Sequence, residues 1–266
     1  MILRDQLTDY LGSLYDYSAV DYCENGLQVE GKEKIARIVF GVSFNMAFLQ
    51  QAIAKKADAI IVHHGIFGHG VFKLRGLLRQ KIKLLIDHDI SLYGIHLPMD
   101  SHRELGHSAQ LLAALGVAGI ESFDLGYMGE NVKGHTLEAM LGIFHQLLHQ
   151  GQAGLPLIQG TSDSPFSLSR QMGFTVLANG PVVPRRVAVI SGGGAKHYEE
   201  AIEKGVDTFF TGEIKEQIPA ISLETHTNFI NLGHYDSEKP GVMVLQKRVT
   251  EKFAIETDFV TIANEI

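Results

Sequence analysis

The chain has 266 residues, with 23 Lys and Arg against 30 Asp and Glu, a formal charge of −7, one cysteine and no tryptophan. That balance argues against a general nucleic-acid binder, which needs a basic face to release counterions, and a lone Cys23 excludes an intrachain disulfide and any zinc site built on several thiolates of one chain. At 45% hydrophobic and 20% charged the composition is globular, sized for one large or two small domains; no apolar run of about 18 residues reads as a membrane span, and the N-terminal MILRDQLTDYLGSLY lacks a signal peptide's apolar stretch, so the cytoplasm is the expected compartment.

Arg4 to Tyr15 is predicted to be an amphipathic helix, since Leu7, Leu11 and Leu14 recur at helical spacing. Glu24-Asn25-Gly26 and Glu30-Gly31 are turn signals. An alternation then begins. Ile38 to Val42 and Ala59 to Val62 are short apolar runs, predicted as buried strands. Between them Asn45 to Lys56 has helical spacing, with Asn45 placed to cap it. Leu77 to Asp87 reads as a helix, Ser91 to Ile95 as a third strand and Glu104 to Leu115 as a helix. Thr136 to His149 is a further helix, with Leu137, Leu141, Phe144 and Leu148 on one side. Gln159 to Ser169 is polar and turn-rich, an expected exposed loop. After Pro184 the alternation resumes: strand Arg186 to Ile190, helix Lys196 to Glu203, strand Thr208 to Thr211, helix Lys215 to Glu224, strand Phe229 to Leu232. Val242 to Glu251 is the last helix, with Pro240 near its first turn, and Glu256 to Val260 the last strand. Such alternation predicts an α/β protein with mostly parallel β-sheets.

Arg37 to His64 can be laid over Arg186 to Glu213 without a gap. Arg37 falls on Arg186, Ala52-Ile53 on Ala201-Ile202, Lys55 on Lys204 and Asp58 on Asp207. Two related α/β lobes are therefore expected, although any two strand–helix–strand segments share some hydropathy. The overlay places His63-His64 where the other half has Gly212-Glu213.

Three segments carry candidate chemistry. In IIVHHG, Ile60 to Gly65, two histidines end a buried strand, where α/β proteins build ligand sites. Adjacent strand residues point to opposite faces, so His63 and His64 suit two different ions better than one; the alternative is a structural pair with one ring buried and hydrogen-bonded. In YGIHLPMDSH, His96 follows a strand and Asp100 comes four residues later; in NLGHYDSEKPG, His234 follows a strand and Glu238 comes four residues later. Imidazole and carboxylate donors without thiolate suit Zn, Mn, Fe, Co or Mg. A carboxylate can bridge two ions, which a neutral imidazole cannot.

Together NGLQVEG (Asn25 to Gly31), ADAIIVHHG (Ala57 to Gly65), YGIHLPMDSH (Tyr93 to His102), GVDTFFTGE (Gly205 to Glu213) and GHYDSEKPG (Gly233 to Gly241) occur in an order that resembles the Nif-three-like dinuclear-metal-centre family, often labelled GTP cyclohydrolase I type II homologues. The resemblance covers essentially the whole chain and is to the short bacterial branch. It implies two divalent metal ions per chain, held by His63, His64, Asp100, His234 and Glu238, with Glu238 bridging and His96 standing beside the metals. It implies two α/β lobes, residues 1–100 with 240–266 and residues 101–239, with the metal site in the cleft between them, and a homohexameric ring. Departures are Gly65, where many members have proline, and Leu97-Pro98-Met99, where they have Thr-Asn-Leu.

Two divalent ions with two carboxylates and neutral imidazoles leave such a site formally positive inside a negative protein, an anion trap suited to a phosphate or nucleotide-like substrate. The expected activity is that of a metal-dependent hydrolase, with a non-catalytic metal-binding ring scaffold or regulatory protein as the alternative. His96, Glu213 and Tyr235 are candidate catalytic residues, and Asp236 flanks the same ligands. Ser191-Gly192-Gly193-Gly194 is either a phosphate cradle or a tight turn. His69, His88, His102, His107, His135, His145, His149, His197 and His226 show no convergent partners in sequence, and Cys23 reads as structural.

Overall fold

The computed structural model describes residues 1–18, 20–68, 73–149, 168–262 and 264. The expected loop from Gln159 lies mostly outside them, as does His69. The chain divides into two compact units, Met1–Leu105 with Gly241–Ala263, and Gly106–Pro240 with Asn264–Ile266.

Among the described residues the first unit holds a five-stranded sheet in the order Glu256–Phe259, Arg37–Ser43, Ala59–His64, Ser91–Gly94, Gly26–Val29. The first four strands pair in parallel and Gly26–Val29 closes the edge antiparallel. Helices cover both faces. Helices Arg4–Leu14 and Lys239–Phe253 bring Leu7, Leu11, Val242, Leu245 and Val249 against Ile38, Phe40, Ala59, Ile61 and Tyr93. Helices Met46–Ala54 and Gly76–Asp87 bring Phe48, Leu49, Ala52 and Leu85 against Val39, Ile60, Val62 and Leu92. Neighbours along a strand thus face opposite layers, and burial on both sides is why these strands read as unbroken apolar runs. Asn45 caps its helix as expected, its side chain accepting from the Phe48 amide.

The second unit corrects the expectation of mostly parallel sheets. Its seven strands run Ala118–Phe123, Gly126–Glu130, Arg186–Ile190, Thr208–Thr211, Asn228–Asn231, Phe174–Ala178, Ser169–Gln171. Only the three central strands pair in parallel; the two on each side pair antiparallel. The physical reason is connection length. Two-residue links join each outer pair, and such links can only reverse the chain, whereas parallel neighbours need a crossover. Helices His107–Leu115 and Leu137–Leu148 pack Leu111, Leu112, Leu115, Met140, Leu141 and Phe144 on one face. On the other, Tyr198, Ala201 and Ile218 meet Ala188, Phe209 and Phe229.

The proposed repeat has a concrete counterpart in each unit. Ile38 pairs with Ala59 and Ala59 with Ser91; Val187 pairs with Thr208 and Thr208 with Asn228. Asp58 Oδ2 accepts the amides of Ala36 and Arg37 at 2.6 and 3.0 Å. Asp207 Oδ2 accepts those of Arg185 and Arg186 at 2.9 and 3.4 Å. The aspartate that opens the second strand therefore ties down the start of the first in both units. Burial alone would raise the Asp58 carboxyl, but bonds from Lys32 and the two amides outweigh it and hold its pKa below the ordinary value of 3.8. A carboxylate depressed on folding contributes stability that is full above the unfolded pKa and is lost as pH falls through the lower folded value. Urea midpoints measured at about pH 6 and about pH 3 should therefore fall more steeply for the wild type than for Asp58→Asn; equal slopes would show that Asp58 contributes no such stability.

Candidate metal centre

In the first unit the strand Ala59–His64 ends in the two histidines. His63 is wholly buried and its Nδ1–H donates to the Ile95 carbonyl at 2.8 Å. That bond turns Nε2 toward Asp100, whose Oδ2 lies 3.6 Å away. Asp100 is 7% exposed, at the end of the short helix Leu97–Asp100. The gap is longer than a hydrogen bond and matches two ligand atoms sharing one ion at bonds of about 2.0–2.1 Å. His64 reaches Ser43 Oγ through Nδ1 at 3.0 Å.

His96 joins them more closely than the sequence suggests. Donor atoms of His63, His64 and His96 all lie within 4.8 Å of one another. Its Nδ1 is 2.9 Å from Asp21 Oδ1, and its Nε2 is 3.2 Å from the Tyr22 hydroxyl. Burial works against an ionised Asp21. Bonds from Asn25, His96 and the amides of Cys23 and Leu97 outweigh it and hold the carboxyl below its usual range. An ionised Asp21 keeps the His96 proton on Nδ1 and the lone pair on Nε2, the arrangement that fixes ligand histidines in metal proteins.

Sequence reasoning gave no role to Asp21, Tyr22, Asn25 or Gln28. The last two sit in the NGLQVEG motif. Asn25 Oδ1 accepts the His96 amide at 2.7 Å. Gln28 Oε1 accepts the Ile66 amide at 2.7 Å, and a Cβ on Gly65 would come within 2.3 Å of that oxygen. Glycine after the histidine pair is thus a matter of room for Gln28. Cys23 reads as structural for a physical reason: burial, then Asp21 and Asp100, pushes its thiol up to about 11, away from the reactive thiolate. Its sulfur does lie within 4.8 Å of donor atoms of Asp21 and His96.

The second unit builds a different donor group. Strand Asn228–Asn231 leads through Leu232 and Gly233, at φ +87°, into the one-turn helix His234–Ser237. His234 Nε2 is 3.1 Å from Glu238 Oε1, and its Nδ1 is 2.7 Å from Glu213 Oε1. Glu238 is 3% exposed. Its hydrogen bond to His234 comes first, opposed by burial; with Glu213 it raises the imidazole to about 9. The protonated ring thus donates one N–H to each of two carboxylates, a concentration of negative charge that also suits a cation.

Glu213, the candidate at the repeat position of His64, meets His234. Tyr235, the candidate beside His234, is buried at 4% exposure. Asp236 is paired on both oxygens, with His149 and with Lys239. Burial would raise its carboxyl, but His149 and Lys239 outweigh that and hold it below the usual range. His149 is satisfied by Asp236 and His145 by the Met172 carbonyl. His102 is satisfied structurally, its Nδ1 accepting the amides of Glu104 and Leu105.

Ser191 to Gly194 resolves as a packed turn. The Ser191 amide donates to Ser108 Oγ, the Gly192 amide to Ser237 Oγ and the Gly194 amide to the Gly192 carbonyl. These three amides are committed within the protein. Gly192 adopts φ +60°, and a Cβ there would fall 2.3 Å from Glu238 Oε1. Glycine at this point lets the loop lie against the buried carboxylate.

No helix among the described residues is long and apolar enough to cross a membrane. The family model described as Duf34/NIF3 (NGG1p interacting factor 3) matches residues 2–265. A Yersinia pestis protein named "GTP cyclohydrolase 1 type 2 homolog" is 38% identical over 248 residues, spanning 92% of this chain and 91% of its own. A solved structure described as protein ybgI, of unknown function, superposes with a TM-score of 0.83 at 33% identity over the whole of both chains. A solved Thermus thermophilus protein gives 0.78 at 27% identity, again over both whole chains.

Proposed function

This chain belongs to the Duf34/NIF3 family, and on that premise we propose that it binds two divalent metal ions and acts as a metal-dependent hydrolase on a nucleotide-like or phosphorylated small molecule. His63, His64, Asp100, His234 and Glu238 are the proposed ligands, with Glu238 bridging. The observation that carries the reading is the wiring of the first unit's histidines: three rings converge while each Nδ1 is engaged by Ile95 O, Ser43 Oγ or Asp21. A protein-held Nδ1 fixes the ring orientation of a ligand histidine, as proposed for His63 and His64, and of a neighbour such as His96.

Bound divalent ions would supply a water nucleophile at neutral pH and positive charge for an attacked oxygen. The chain's own part is to hold that charge in a nitrogen and oxygen donor set. His96, held by Asp21 with its Nε2 as acceptor, is placed to take a proton, and Glu213 steadies His234. GTP, which appears in the relatives' name GTP cyclohydrolase 1 type 2 homolog, is one member of the substrate class. A homohexameric ring is the assembly proposed with it, and sedimentation measures that directly.

The test is a screen of nucleotides and phosphoesters with Mn, Zn, Fe, Co and Mg. Metal-dependent turnover of at least one compound, lost in Glu238→Gln, is expected. A second reading, a non-catalytic metal-binding scaffold, is favoured by the committed amides of Ser191, Gly192 and Gly194, which remove the one loop that resembled a phosphate cradle. Metal binding without turnover of any compound would select it.

A further inference from the structure

His234 opens, and Glu238 caps, a helix too short to hold its own direction. His234–Ser237 is four residues long, entered through Gly233 at φ +87° and closed by the Ser237 amide on the Gly233 carbonyl at 2.9 Å. One helical turn fixes several dihedral angles for few hydrogen bonds and is unstable alone. Its orientation has to come from outside.

Asp236 supplies the connection. It lies midway between the two proposed ligands, and both its oxygens are taken. His149 Nε2 donates to Oδ2 at 2.9 Å, and Lys239 Nζ donates to Oδ1 at 2.8 Å. Lys239 is 6% exposed and also donates to the Leu148 carbonyl. His149 is the C-terminal cap of helix Leu137–Leu148, its ring stacked on Phe174 with centroids 5.2 Å apart. Its Nδ1 is 3.2 Å from His145 Nδ1, and His145 is in turn 3.0 Å from the Met172 carbonyl. The carboxylate thus joins the ligand turn to the end of a twelve-residue helix packed in the unit's core.

A buried ion pair is weak evidence for stability, because desolvation offsets most of its attraction; its better-attested use is to select one arrangement. We infer that Asp236, gripped by His149 and Lys239, is a positioning residue that aims His234 and Glu238 at the metal, alongside the Glu213 contact to His234. This rests on the reading that those two residues bind metal.

The probe is cobalt(II) alone, its affinity measured by competition with a chromophoric chelator, beside urea unfolding of each variant. Asp236→Asn leaves Lys239 buried and uncompensated and can misfold, so the informative variant is Asp236→Asn with Lys239→Met, since neutralising both members of a buried pair is often close to neutral for stability. Cobalt affinity is expected to fall about 10–100-fold, the usual loss for residues that orient ligands, with the urea midpoint near that of the wild type. His149→Ala should follow the double variant, and His149→Gln, which keeps a donor, should restore affinity. Wild-type affinity in the double variant overturns the inference while Glu238→Gln still loses metal. A wild type that takes up no cobalt, or a Glu238→Gln variant that binds normally, overturns the metal reading and this inference with it.

Discussion

Purified wild-type chain is expected to carry about two divalent ions, His63→Ala to lose at least one of them, and Glu238→Ala to lose both. His63 is wholly buried, with Nδ1 held by the Ile95 carbonyl and Nε2 facing Asp100 at 3.6 Å. Alanine keeps none of this. Loss of a direct ligand should exceed the roughly 10–100-fold effect of an orienting residue, so elemental analysis after gel filtration suffices. The two variants separate the roles. A terminal ligand releases its own ion, whereas a bridging carboxylate releases both. His63→Ala also leaves a buried carbonyl without its donor and a cavity, at about 2–4 kcal/mol, so unfolding is recorded alongside. Full metal retention by both variants would sink the ligand assignment.

The second large effect is steric. Gly212→Ala should destabilise the second unit by about 3 kcal/mol and weaken metal binding at His234. A Cβ at Gly212 would fall 2.6 Å from Ser237 Oγ, 2.7 Å from His234 Cα and 2.8 Å from the Gly192 carbonyl oxygen. Two of those atoms are backbone, so a side-chain rotation cannot relieve the contact. Gly142→Ala is the internal control. Gly142 lies within helix Leu137–Leu148 with nothing inside 4 Å of its added Cβ. There the same change should stabilise by about 0.5–1 kcal/mol. Chemical unfolding of both variants checks the pair, and a Gly212→Ala protein as stable as wild type would show the close approach to be unimportant.

Gly212 also explains why the two halves of the repeat differ. It occupies the position of His63, at the end of the second parallel strand. In the second unit the backbone of the His234 turn fills the space a side chain would need there, so that unit draws its imidazole from the turn after the third strand.

What was legible in the sequence was what local pattern records. The central strands are buried on both faces, so Arg186–Ile190 and Thr208–Thr211 read as short strands with the observed bounds. The strands that escaped are short, exposed or interrupted by glycine: Ala118–Phe123 has five exposed residues of six, and Gly126–Glu130 holds two glycines. Nothing periodic marks such strands. The residues that hold the candidate ligands escaped for another reason. Asp21 meets His96 across 75 residues and His149 meets Asp236 across 87.

By itself the sequence determined the α/β class and which histidines and carboxylates stand near strand ends, because each is written in spacings of a few residues. Tertiary structure alone decided the antiparallel flanks of the second sheet, the commitment of the Ser191 to Gly194 amides, and which buried carboxylate orients which ring. Those depend on chain segments meeting after long separation, where close packing and the need to satisfy every buried polar group choose the partners.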